Sequence, residues 1–464
     1  MRLNILKLNH YDQPAVLGPR THEGAPALVL TAEQALRRSV LSCMLWESEF
    51  YEDGAEISGR IRSLVPQVVA ERVAALAIEA RERMKLRHVP LLLVREMARY
   101  ASHRALVAET LSRVIQRADE LAEFLAIYWA DRKAGGKQPL SGQVKKGLAA
   151  AFVKFDEYAL AKYDRAGAVR LRDVLFLSHA KPIDAAQAAL WKRLAANELV
   201  TPDTWEVALS TAGRKDGPSK LEVWERLLAE RRLGALALLR NLRNMHEAGV
   251  REELVLTAIM AMKTDRVLPF RFLAAARKAP QWEPVLELAM FRTFVSRMAD
   301  GQAGQLAGHT ILLVDVSGSM NAPLSKRSEM NRTDAAYGLA ILLREIAEKV
   351  TIYTFSETAR RVPARHGLAL RDALDRNQPH GGTYLGASLL QVERECRSYD
   401  RLVVITDEQS HDTVANPRGR GYMINVASNR NGVGYGTNGW THIDGFSEAV
   451  VEYIAELESG DVVN

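Results

Sequence analysis

The apolar residues of this chain change their spacing near residue 300, which excludes any fold built from one kind of element. Before that point they recur every three to four positions, as they must to line one face of an α-helix. Leu36, Val40 and Met44 do so with Leu41 and Leu45 beside them, as do Val89, Leu93 and Met97, then Leu221, Trp224 and Leu228. Helix starts punctuate the pattern: Thr31 and Gln34 have the spacing of a capping box, Thr201-Pro202-Asp203 reads as a start, and Pro218 suits a first helical turn. After residue 300 the apolar residues gather into short runs, 310–314, 351–355, 402–406 and 422–427, separated by helical patterns over 334–350, 385–396 and 447–457. Strands alternating with helices predict a doubly wound parallel sheet.

The expected division falls between residues 303 and 304, inside the polar, Gly-containing stretch 297–308. Residues 1–303 are predicted to be antiparallel helix pairs stacked as an α-solenoid, although the sequence has no clean repeat period. Residues 304–464 are predicted to be the α/β domain. Composition follows the same division. Of the 30 glycines, 13 lie in the first 300 residues and 17 in the last 164, as expected when helices give way to strands and tight loops. The net charge of +6 hides a balance of +10 in the first 300 residues and −4 in the remainder. The two cysteines, Cys43 and Cys396, are far apart, with no spacing that suggests a disulfide scaffold or a zinc module. There is no apolar leader and no run near the ~20 residues that cross a bilayer. A soluble, cytoplasmic, monomeric protein without membrane contact is expected.

The run 310–314 leads into Asp315-Val-Ser-Gly-Ser-Met320. Mg²⁺ takes about six hard oxygen donors and sheds water reluctantly, so carboxylates and hydroxyls from converging loops suit it. Asp315, Ser317 and Ser319 supply one carboxylate and two hydroxyls. Thr383, after Gly381-Gly382, adds a hydroxyl, and Asp407, directly after 402–406, adds a second carboxylate. An Asp-x-Ser-x-Ser loop alone also makes an ordinary turn. Three pieces, each at a strand end or in a Gly-rich loop, point instead to a site for Mg²⁺ or another divalent cation.

This half resembles the von Willebrand factor A domain, whose metal-ion-dependent adhesion site uses Asp-x-Ser-x-Ser, then Thr, then Asp; all five residues match. The resemblance implies an ion that binds an acidic protein ligand rather than a catalyst. The helical half resembles the TROVE module through Leu36-Arg-Arg, Trp46-Glu, Phe50-Tyr, Leu86-Arg-His-Val-Pro90, Lys162-Tyr163, the segment Leu171 to Pro182, Leu238-Leu-Arg-Asn-Leu242 and Leu268-Pro-Phe270. Together the two halves are similar to the bacterial-type Ro ribonucleoprotein family. That resemblance implies a ring of HEAT-like helical repeats closed by the A-type domain. It also implies Y-like non-coding RNA on the outer face, single-stranded ends of misfolded RNA in the central hole, a role in RNA quality control or processing, and an exoribonuclease partner.

Lys137, Lys145, Lys146, Lys154, Lys162, Arg165, Arg170, Arg172, His179 and Lys181 form the densest basic stretch. A charge run is also what a solvated helix face looks like. Under the resemblance, Lys162 and His179 fall where the family has RNA-contacting basic residues, while Ala166 stands opposite the next family Arg, with Arg165 one position earlier. His179 reads equally as an RNA contact and as a helix-end histidine before Pro182. Trp46, Trp129, Trp205 and Trp224 read as core, and Tyr128-Trp129 remain a candidate base-stacking pair. The expected function is a non-enzymatic RNA-binding scaffold. The alternatives are a metal-dependent hydrolase or nuclease using Asp407, Glu408, His411 and Asp412, and an adhesion module without RNA.

Overall fold

The computed structural model describes residues 20–21, 24, 30–41, 54–130, 139–164, 167, 169–213, 217–264, 267, 269–299, 305–324, 330–427, 432–433, 439–445, 450, 454–455 and 457–458. The predicted capping box is present: the Thr31 N–H donates to Gln34 Oε1 and the Gln34 N–H to Thr31 Oγ1. It opens α1 (Ala32–Leu41). There follow α2 (Gly54–Leu64), α3 (Ala70–Glu82), α4 (His88–Met97), α5 (Val107–Val114), α6 (Asp119–Trp129), α7 (Gly142–Phe152), α8 (Glu157–Tyr163), α9 (Leu171–Ser178) and α10 (Ala185–Ala196). The arc continues with α11 (Trp205–Thr211), α12 (Lys220–Ala229), α13 (Ala235–Glu247), α14 (Glu252–Ala261), α15 (Pro269–Lys278) and α16 (Glu283–Ala299). Local chemistry sets the starts. Ser141, Asp156, Asp184, Thr204 and Ser219 each accept a backbone N–H of the first turn. The start expected at residues 201–203 therefore falls at Thr204.

The second half is a six-stranded sheet in the order β3-β2-β1-β4-β5-β6. Its strands are β1 (Leu306–Asp315), β2 (Ala347–Phe355), β3 (Ala359–Arg361), β4 (Arg401–Thr406), β5 (Arg420–Asn425) and β6 (Trp440–Asp444), with α17 (Arg332–Ile346), α18 (Gly367–Asp375) and α19 (Leu385–Glu395). All pairings are parallel except β2 with β3. Both faces of β1 are covered: Leu312 and Val314 enter one apolar core, Ile311 and Leu313 the other. The helix expected to run to residue 350 stops at Ile346, and residues 347–350 belong to β2. Their β-branched and buried neighbours pair with β1, a tertiary gain that helical periodicity does not register. The helix expected over 447–457 falls partly outside the described residues.

Apolar cores divide the molecule elsewhere than the change of spacing. Helices α1 to α10 share one core. Helices α11 to α16 share a second, which is continuous with α17, α18 and one face of the sheet. Both ends of the helical arc rest on the α/β domain. Phe270 and Leu273 on α15 pack with Ala336 and Ala340 on α17, and Gly338 admits that approach because a Cβ there would lie 3.3 Å from Phe270 Cβ. At the other end α1 meets β6. The repeats thus close into a ring through the α/β domain.

Candidate functional site

Asp315 ends β1 and Asp407 follows β4, two neighbouring strands whose connections leave in opposite directions. Such a switch point opens a crevice at the carboxyl ends of the strands. Ser317 and Ser319 lie on the loop after β1, with their hydroxyls 3.3 Å apart. Thr383 comes from the loop before α19, which is locked to the first: the Gly318 N–H donates to Gly381 O at 2.9 Å, and the Gly381 N–H to Ser356 Oγ at 2.8 Å. The structure therefore brings the loops that carry the five predicted ligands together at the ends of β1 and β4. Asp315, Ser317, Thr383 and Asp407 are buried.

Asp315 accepts the Ser317 N–H at 2.8 Å and the Thr406 hydroxyl at 2.6 Å. Burial and the neighbouring Asp407 carboxylate push the Asp315 carboxyl up to about 7, against these hydrogen bonds. Two buried carboxylates beside each other, with hydroxyls completing an all-oxygen set, have the donor chemistry of a small divalent cation. Among the described residues no three or more His, Cys, Asp or Glu side chains gather as a metal cluster, so this set depends on its hydroxyls. Sequence reasoning missed Arg332, the first residue of α17. Its buried guanidinium lies 3.4 Å from both Asp407 Oδ2 and Ser319 O. Only the β1–α17 packing shows that it faces inward.

Two of the extra groups of the hydrolase alternative are engaged elsewhere, while His411 stays beside Thr383, its backbone N–H donating to Thr383 O at 2.9 Å. Glu408, in left-handed backbone at φ +59°, turns away from the crevice to pair with Arg38 of α1 at 2.5 Å. Asp412 accepts the N–H groups of Gly386 and Ala387 at 2.9 and 2.7 Å, where they start α19. His411 stacks on Tyr384 with centroids 4.9 Å apart.

The basic residues fall into three groups. Lys145 on α7 and His179 after α9 come together, Nζ to Nε2 3.5 Å, and Lys146 is exposed beside them in sequence. His179 is also the left-handed C-cap of α9, φ +53°, so the helix-end reading describes its backbone and leaves its exposed ring beside Lys145. Lys162 on α8 lies 5.8 Å from the ring centroids of both Tyr158 and Tyr163. Arg170 caps α9 and pairs with Asp164 at 2.9 Å. Lys137 and Arg165 lie outside the described residues, as do Cys43 and Trp46. Lys154 is bonded to the carbonyls of Ser112 and Ile115, which removes it from the basic face. Tyr128 is buried against Phe124 and cannot stack on a base, because its ring fills the α6 core position.

Residues 309–419 match the family model of the Ro60 von Willebrand factor A domain, and residues 181–287 match that of the TROVE domain. Both halves of the chain therefore match domains of the Ro family. The crystal structure of the Deinococcus radiodurans Ro (Rsr) protein shares the fold of this chain, with TM-score 0.61 and 19% identity over 93% of this chain and 100% of that one. TROVE and A-type domains in one ring make this Ro-like protein an RNA-binding scaffold, with non-coding RNA as its kind of partner. Among its described residues no helix is long and apolar enough to cross a membrane.

Proposed function

We propose that this Ro-like ring captures Y-like small RNA on its outer surface through Lys145, His179 and Lys162, accepts single-stranded ends of misfolded RNA in its central hole, and acts without catalysis in RNA quality control or processing. The observation that carries the reading is the convergence of Lys145 with His179 at 3.5 Å from separate helices, inside a half whose balance is +10. Phosphates are the ligands that cations arrayed along helical repeats attract.

Asp315, Ser317, Ser319, Thr383 and Asp407 would hold Mg²⁺ or another divalent cation, and their hard oxygens fit it. When bound, the ion supplies Lewis-acid attraction for a carboxylate oxygen of an acidic protein ligand, an exoribonuclease among the candidates. The protein's own contribution is to position donors, since Gly381 and Gly382 keep the second loop close and Arg332 partly balances Asp407. The nuclease reading is weaker because Glu408 and Asp412 are committed to α1 and α19, so too few carboxylates remain for two ions ~4 Å apart.

Filter binding over a salt series tests the RNA reading. Affinity should fall steeply, by about 0.7 log units per tenfold rise in salt for each phosphate neutralised on a single strand. Replacing Lys162 and His179 together by Ala should weaken a structured small RNA far more than a short single strand. Absence of binding at low salt overturns the reading. For the ion, Asp315→Ala should abolish Mg²⁺ heat in calorimetry and leave RNA affinity nearly unchanged, with the circular dichroism spectrum as the check on folding. Loss of a Mg²⁺-dependent RNA cleavage in that variant would restore the nuclease reading.

A further inference from the structure

Among the described residues, Phe176 and Tyr158 are aromatic residues more than half exposed, Tyr158 at 53%, and Tyr384 is exposed on one side with His411 stacked on its ring. Tyr158 differs from the others in its company. Arg117 Cζ lies 4.8 Å from the Tyr163 centroid, and Lys162 Nζ lies 5.8 Å from the centroids of Tyr163 and Tyr158. Cation and ring therefore alternate, Arg117, Tyr163, Lys162, Tyr158, and the series ends at an exposed aromatic face.

The scaffold beneath is fixed. Asp156 accepts the Ala159 N–H at 2.8 Å and caps α8, Leu160 is buried, and Glu157 pairs with Arg193 of α10 at 2.6 Å. Arg117 is itself held by Asp119 at 3.0 Å. Holding Tyr158 in water leaves its apolar ring hydrated, an unfavourable arrangement for the free protein that stacking against another π-face relieves.

Resting on the RNA-binding reading above, we propose that Tyr158 is a base-stacking platform for an unpaired nucleotide of the bound RNA, a base bulged from a helix, whose flanking phosphates meet Lys162 and Arg117. A continuous RNA duplex offers no such face, because its bases are stacked on each other and its deep major groove is closed to side chains. Tyr158 thereby selects irregular RNA over perfect helix, which positive charge alone does not do.

The test compares a hairpin carrying a one-base 2-aminopurine bulge with the same hairpin fully paired, against full-length wild type, Tyr158→Ala and Tyr158→Phe. Stacking predicts quenched 2-aminopurine fluorescence on wild type and Tyr158→Phe. On Tyr158→Ala it predicts affinity for the bulged hairpin lowered roughly tenfold, with the paired hairpin little changed. Because the ring is exposed, Tyr158→Ala should keep the wild-type melting temperature. Unchanged affinity of Tyr158→Ala for the bulged hairpin, or equal losses on both hairpins, overturns the platform while the RNA-binding reading stands. Wild type that binds neither hairpin at low salt overturns both.

Discussion

Where the helical arc ends, α15 and α16 join the α/β domain through Phe270, Leu273, Leu286 and Met290, which share a core with α17 and α18; where it begins, α1 joins through charge. Arg38, Glu408, His442 and Asp444 form a buried quartet. Arg38 lies 2.5 Å from Glu408 and 4.0 Å from Asp444, while His442 places Nδ1 2.6 Å from Glu408 and Nε2 2.8 Å from Asp444. Gly432 makes room for the pair, since a Cβ there would stand 1.9 Å from Glu408 Oε2. The apolar seam draws on a non-directional force and tolerates small shifts. The charged seam holds only if all four partners stay in register, because an uncompensated buried charge is costly. The second seam is therefore where the ring is easiest to open, and Glu408 ties it to the loop that carries Asp407.

The largest effect should come from removing one member of the quartet. Arg38→Met leaves two buried carboxylates facing a single His442 and should cost about 3–5 kcal/mol. Hydrogen exchange should show α1 and β6 losing protection while α15 and α17 keep theirs, and equal loss at both seams would erase the distinction. Leu273→Ala attacks the apolar seam and should cost about 2–4 kcal/mol, read by denaturant melts, with the protection pattern reversed.

A pH titration sharpens the contrast. Burial opposes a charged His442, but Asp444 and then Glu408 outweigh it and raise the ring above its ordinary value. The folded protein then holds this proton more tightly than the unfolded chain, so the stabilisation is whole below about pH 6.5 and is lost as pH rises through the higher folded value. Melting of α1 and β6 should accordingly shift down on the alkaline side in wild type, and His442→Gln should remove that dependence. Glu408 is held low, chiefly by Arg38 against the cost of burial, and opposes no part of this trend near neutrality. The smallest effect is expected from Arg277→Ala. Its pair with Asp334 spans the apolar seam, but Arg277 is half exposed, so solvent screening limits the loss to about 1 kcal/mol.

The five oxygen donors were legible because each lies where a local rule puts it, directly after an apolar run or after a Gly pair. Tyr158 was not, since its position on α8 looks like any half-apolar helix residue until Lys162 and Tyr163 are placed around it. Strand β6 was missed for a related reason: Thr441 and His442 interrupt the apolar run, and His442 and Asp444 are inward-facing polar residues whose partner, Arg38, is about 400 residues away in sequence. Strand β3 is three residues long, too short for any period to show. The family resemblance in the helical motifs carried the ring, which spacing alone left as an open or closed solenoid.

Local sequence by itself determined the helices of the first half, through apolar spacing and caps such as Thr31 and Ser219, and the alternating elements of the second, through runs bounded by Gly and Asp. Tertiary structure alone decided that α11 to α16 share a core with the sheet, that Glu408 leaves its neighbour Asp407 to pair with Arg38, and that the basic residues of α7, α8 and α9 separate into exposed, bonded and aromatic-flanked groups. The physical reason is range: periodicity and capping act within a few residues, whereas burial and the cancellation of buried charge depend on partners that only the closed ring brings together.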